Sequence, residues 1–172
     1  MGIGLITEDR KAQGLFLGQS LRSNVAVTIF ETLSRLGFLQ FKKIDYQVRA
    51  LVQKLKIRTP NLEQRVRNLS GGNQQKVVIS RWLAVDPKIL ILDEPTRGID
   101  VASKAEIHVL IDELAAKGVA MLVISSELPE ILGISDRILV MHEGRLVAEL
   151  DRSEATQARV MQAATGQIQS RV

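Results

Sequence analysis

Two short apolar runs, Ile89 to Leu92 and Val119 to Ile124, flank a segment of a different period, and this alternation constrains the fold more than any other feature. Runs of this length fit strands covered on both faces of a parallel sheet. Between them Ile107, Leu110, Ile111 and Leu114 recur at helical spacing, the stripe of a helix lying against such a sheet. Lys117 suits the last turn of that helix and Gly118 its C′ position. Residues 88–124 therefore predict a strand, helix, strand unit with the short connections of a right-handed crossover, and the fold class is α/β. Further on, Ile138 to Met141 and Leu146 to Leu150 flank Glu143 and Gly144, a pair that favours a hairpin turn. Ser153 is placed to cap a last helix running through Ala164, which Gly166 closes.

Upstream of Pro87 the pattern is mostly helical. Val48, Leu51, Val52 and Leu55 mark one buried face of a helix that ends near Thr59 and Pro60. An apolar content of 45% over 172 residues is enough for a folded core. With no cysteine, disulfides and thiolate metal sites are excluded, and His108 and His142 lack partners at ligand spacing. No apolar run approaches the roughly 20 residues that span a bilayer. Glu8 to Lys11 interrupt the amino terminus before a signal peptide could form. Residues 1–86 carry 14 Lys and Arg against 6 Asp and Glu. The bases from Lys42 to Arg58 fall among helix-spaced apolar positions with few aromatics to stack on bases, which reads as a solvated helical face.

Two segments carry chemistry. Leu69 to Lys76 reads LSGGNQQK directly before a helical stretch. Its glycines allow close backbone approach, and a helix start offers free N–H groups and the positive end of a dipole to an anion. Taken alone, the same residues are also an ordinary serine cap after a glycine turn. The second segment, Ile89 to Thr96, ends an apolar strand in Asp93 and Glu94, at the sheet edge where open α/β folds bind ligands. Alternation along a strand sends adjacent side chains to opposite sides, so the two acids should serve two roles, one holding Mg²⁺ and one directing a water. An isolated pair could equally cap the next turn.

The order of these segments, followed by Gly98, Ile99 and Asp100, resembles the nucleotide-binding domain of ATP-binding-cassette transporters. The resemblance implies an α/β fold, a partial P-loop NTPase (ABC ATPase) core with a parallel sheet plus an α-helical subdomain. In those terms residues 1–9 are a core strand and Q-loop region and 10–86 the helical signature subdomain. Residues 87–150 run from the Walker B acids to the hairpin, and 151–172 form a C-terminal helix and tail. EDRK at Glu8 to Lys11, LSGGNQQK, DEPTRGID at Asp93 to Asp100 and SSELPEI at Ser125 to Ile131 are similar to the second cassette of monosaccharide importers.

That likeness implies ATP and Mg²⁺ as cofactors. Asp93 would be the magnesium acid and Glu94 the catalytic carboxylate, with Ser126 where most cassettes carry the switch histidine. Ser70, Gly71, Gly72, Asn73 and Gln74 of the signature, Asp100 of the D-loop, and Glu8 in place of the Q-loop glutamine would contact nucleotide. The implied partners are a second cassette facing this one head to tail, membrane permease subunits near Glu8 to Leu21 and, indirectly, a periplasmic sugar-binding protein. The location would be the cytoplasmic face of the bacterial inner membrane, peripheral, with no nucleic acid.

One departure is large. No G-x-x-x-x-G-K-S/T occurs in the chain, so nothing in it matches the loop and lysine that cradle the β and γ phosphates. In the family that loop lies upstream. Three expectations follow: a truncated reading frame rather than a natural short partner, a sheet left with an uncovered apolar edge, and an isolated chain that neither binds ATP tightly nor hydrolyses it. The alternatives are a non-catalytic structural or regulatory half and a DNA-associated cassette ATPase.

Overall fold

The computed structural model describes residues 2–167, which form two compact units divided between Ile124 and Ser125. In the first, β1 (Ile3–Ile6), β4 (Ile89–Asp93) and β5 (Ala120–Ile124) make a parallel sheet in the order β1, β4, β5. The register sets Leu5 beside Ile91 and Ile91 beside Leu122. Alternation then sorts the strands into two faces. Ile6, Leu90 and Leu92 are buried. α3 (Gly71–Leu83) packs along β1, so closely that a Cβ on Gly4 would lie 3.0 Å from the Trp82 ring.

The opposite face is open: Ile3, Leu5, Ile89, Leu122 and Ile124 are 39–54% exposed. The expectation of strands covered on both faces is therefore corrected. What lies bare is an apolar face rather than only an edge, because the helices packed on the sheet within the described residues bury one side of it. α4 (Val101–Ala115) forms as its stripe predicts, burying Ile107, Leu110, Ile111 and Leu114. It stops at Ala115, before Lys117, and Gly118 at a φ of +87° turns the chain into β5.

Residues 15–83 supply a helical layer. α1 (Leu21–Ala26), α2 (Phe41–Lys54) and α3 share a core that includes Leu21, Val25, Ile44, Val48, Val66 and Val77. Arg81 stitches it, donating from Nε to the Asn24 carbonyl at 2.8 Å and lying 5.4 Å from the centre of the Phe16 ring. α2 buries Val48 with Leu55 just beyond it, whereas Leu51 and Val52 are half-buried. It closes at Lys54, short of Thr59 and Pro60, because Lys56 takes a φ of +50°. A two-residue hairpin, β2 (Ser34–Arg35) with β3 (Phe38–Leu39), interrupts the helices and leaves Leu36 91% exposed.

In the second unit α5 (Leu128–Ile134) precedes an antiparallel hairpin of β6 (Arg137–His142) and β7 (Arg145–Asp151). Glu143 and Gly144 both have positive φ, +47° and +76°, as a tight hairpin turn requires. α6 (Gln157–Ala164) covers the hairpin, with Val160 and Ala163 packed on Ile138, Val140, Val147, Ala148 and Leu150. Its cap is Thr156, whose hydroxyl accepts from the Arg159 N–H, and not Ser153. Gly166 at +75° does close it.

Candidate functional site

Parallel pairing brings the carboxyl ends of β1 and β4 to one edge of the sheet, so the loops that leave them are neighbours. After β1, Asp9 accepts from the Lys11 and Ala12 N–H groups, each at 3.0 Å, and starts the single wide helical turn Arg10–Gly14. After β4, Glu94 departs from strand geometry at a φ of +46°, while its N–H donates to the Ile124 carbonyl at 2.8 Å. A non-glycine residue in this region costs of order 1 kcal/mol or more, and such strain gathers at functional sites. Glu94 therefore lies outside the strand, in a left-handed turn, so the pleat alternation read in the sequence does not extend to it.

Charge ties the two loops. Glu8 forms an ion pair with Arg97. Arg10, 8% exposed, donates from Nη1 to the Arg97 carbonyl at 2.7 Å and from Nη2 to the Gly98 carbonyl at 3.1 Å. Burial lowers the pKa of its guanidinium, against the raising influence of Asp9 beside it. A guanidinium keeps its proton regardless. Glu8, Asp9, Arg10, Lys11 and Arg97 line a cleft of about 390 Å³ at this edge.

The start of α3 joins the same cluster. The Ser70 hydroxyl accepts from the Asn73 N–H, and helix starts leave their first N–H groups without intrahelical partners. A Cβ on Gly71 would sit 3.0 Å from Arg10 Nη2 and 3.2 Å from the Gly98 carbonyl oxygen. A side chain at this position would crowd both the guanidinium and the Gly98 carbonyl. Gly72 abuts α4, where a Cβ would come within 2.3 Å of Ser103 Oγ. Asp100 caps α4 by accepting from the Ser103 N–H at 2.9 Å and its hydroxyl at 2.8 Å, and these bonds hold its carboxyl below the usual range. Lys76, buried on α3, pairs with Glu106 on α4 at 2.8 Å.

Ser70, Gly71, Asp93, Glu94, Asp100 and Glu8 thus lie in one unit, on the carboxyl end of β4, the loops after β1 and β4, and the start of α3. The five signature residues do not face one way. Ser70 is exposed and Gly71 and Asn73 are half-buried, while Gly72 and Gln74 are buried. Asn73 clamps the loop ahead of it, donating to Ser70 Oγ at 2.8 Å and accepting from the Arg58 N–H at 2.8 Å. Gln74 turns inward, its Nε2 spent on the Val66 and Leu69 carbonyls. Ser126 falls in the second unit, exposed, next to Ser125, whose hydroxyl is bonded to Glu130 and accepts from the Glu127 N–H. Arg10, Arg97 and Ser103 were missed as members of the site. Arg10 stands within the EDRK segment, but its partners are 87 and 88 residues away.

Comparisons with known proteins identify the family and the fold. The ABC transporter family matches over residues 3–97, more than half of the chain. Ribose import ATP-binding protein RbsA of Bacillus licheniformis is 54% identical over 165 residues, which cover 96% of this chain and 34% of that protein. RbsA of Bacillus subtilis is 52% identical over 165 residues, again 96% and 34%. The chain therefore spans about a third of the length of these curated relatives. Among solved structures, the ATP-binding cassette MJ1267 superposes with a TM-score of 0.74 at 22% identity, covering 93% of this chain and 68% of that one. The cassette MJ0796, solved as a dimer with ADP and Pi, gives 0.72 at 22% identity, covering 87% and 62%. These structural likenesses establish the shared α/β fold of a cassette, and the match over residues 3–97 shows that the chain belongs to the ABC transporter family.

Proposed function

We propose that the chain is the signature-bearing part of the nucleotide-binding subunit of a sugar importer, in which ATP binding and hydrolysis are coupled to uptake. The observation that carries this reading is the close approach of Gly71 to the Gly98 carbonyl, in the loop that follows Asp93 at the end of β4. The ribose import proteins that align with 96% of the chain support the substrate class.

The residues present fit one side of a site for ATP with Mg²⁺. The N–H groups at the start of α3 and its dipole suit phosphate oxygens. Asp93 offers one carboxylate, and among the described residues no group of three His, Cys, Asp or Glu could hold a metal by itself. When bound, ATP with Mg²⁺ would supply the phosphate charge that closure sandwiches and the phosphoanhydride whose cleavage releases the pair. Ser70 and Gly71 serve from across the interface with a second cassette, donating to phosphate charge. Glu94 orients a water or takes its proton, and Asp100 keeps the D-loop seated on α4. Ser126 stands in for the switch histidine. Closure of the pair moves a membrane permease that a periplasmic sugar-binding protein loads, so the subunit works at the cytoplasmic face of the membrane.

The phosphate loop must come from other residues, and on its own the chain neither binds ATP tightly nor hydrolyses it. Titration of the purified chain with a fluorescent ATP analogue tests that directly, since micromolar binding refutes it. The broader reading is tested by adding a cassette that carries the phosphate loop. Sedimentation should show association that requires ATP, and Gly71→Asp should abolish it by placing a carboxylate against phosphate. Association that ignores ATP, or survives Gly71→Asp, overturns the reading.

A further inference from the structure

Arg10 is a buried cation whose terminal nitrogens are spent on main-chain carbonyls. Nη1 holds Arg97 and Nη2 holds Gly98, two successive carbonyls of one loop. The guanidinium is also the floor beneath Gly71, which has 3.0 Å of clearance for a Cβ above Nη2. One planar group therefore touches three chain segments: the turn after β1 that carries it, the loop after β4, and the start of α3. A fork of fixed geometry can orient two peptide groups at once, which a single ammonium cannot.

We propose that Arg10 is a positioning residue that sets the spacing between the 97–100 loop and the start of α3, so that both present a fixed surface to the nucleotide. The claim about turnover rests on the reading under Proposed function, whereas the claim about loop geometry does not. Other ties hold α3 to α4 without Arg10, namely Lys76 with Glu106 and Gly72 against Ser103. Glu8 with Arg97 is a second tie between the loops, but its side chains are 45% and 65% exposed, where ion pairs contribute little. Loss of the fork should thus free the loop locally and leave both helices in place.

The test is amide hydrogen exchange on the full chain and on Arg10→Lys and Arg10→Ala. The Arg97 N–H, bonded to the Glu94 carbonyl, and the Ser103 N–H, bonded to Asp100, report on the loop. Both should exchange at least about tenfold faster in both variants, the scale of one lost hydrogen bond to a charged group. Amides of α2 should not change. If Arg10→Ala does not fold, Arg10→Gln takes its place. Unchanged exchange at Arg97 and Ser103 overturns the proposal, and so does full rescue by lysine, which would show that charge alone suffices.

The second readout is ATP turnover in complex with a cassette that carries the phosphate loop. The expected result is a kcat lowered about tenfold with KM within about twofold, as for a contact that matters only in the closed state. Faster exchange with unaltered kcat overturns the link to turnover. A wild-type complex without turnover counts against the importer reading instead, and exchange then decides the role of Arg10 alone.

Discussion

At the scale of single residues, close approach decides what is allowed at the glycines of the signature. Gly72→Ala gains helix propensity, but its methyl group would meet both Oγ and Cβ of Ser103, at 2.3 and 2.5 Å. Ser103 cannot swing aside without giving up its bond to Asp100. The clash wins, and Gly72→Ala should destabilise the first unit by about 1–3 kcal/mol in urea denaturation. Adding Ser103→Gly should recover most of the loss, and no recovery would place the strain elsewhere. The motif itself made Ser70, Gly71 and Asp93 legible, because a cap, a glycine and a strand-end acid each follow from local rules. Arg10 and Ser103 were not legible, since nothing near either residue in the chain names its partner.

At the scale of elements, caps and charges locate the helix ends. If Thr156 starts α6, Thr156→Ala should cost about 1 kcal/mol, while Ser153→Ala should stay within about 0.5 kcal/mol. Urea melts followed by circular dichroism distinguish the two, and the reverse order would restore Ser153 as the cap. At α4, hydrogen bonds from the Ser103 N–H and hydroxyl lower the Asp100 carboxyl, and the bond from Lys76 lowers that of Glu106. Groups depressed in the folded state resist protonation there more than in the unfolded chain. Their contribution is complete above about pH 5 and fades as pH falls through the depressed values. Asp100→Asn with Glu106→Gln should therefore flatten the acid limb of the stability profile. An acid limb as steep as that of the parent would assign it to other carboxylates.

At the scale of the whole molecule, the bare side of the sheet is the dominant feature. Ile3, Leu5, Ile89, Leu122 and Ile124 form an apolar face on three paired strands, and faces of this kind drive association unless covered. The purified chain should self-associate, and Leu122→Lys, at a position 46% exposed, should raise the monomer fraction in size-exclusion chromatography with little loss of stability. A parent chain that runs as a monomer at high concentration would show that the face needs no partner.

By itself the sequence determined the periods of α2 and α4, the strand, helix, strand core, the hairpin turn at Glu143 and Gly144, and the two motifs that carry the family resemblance. These rest on spacing and on conformational preferences that act within a few residues. Only the tertiary structure decided which face of the sheet is covered, where α2 and α6 end and begin, and that Glu94 leaves the strand through a left-handed turn. It alone brought Arg10 under Gly71 and against Gly98. Such contacts join residues dozens of positions apart, and their geometry is fixed by packing, which local preference does not encode.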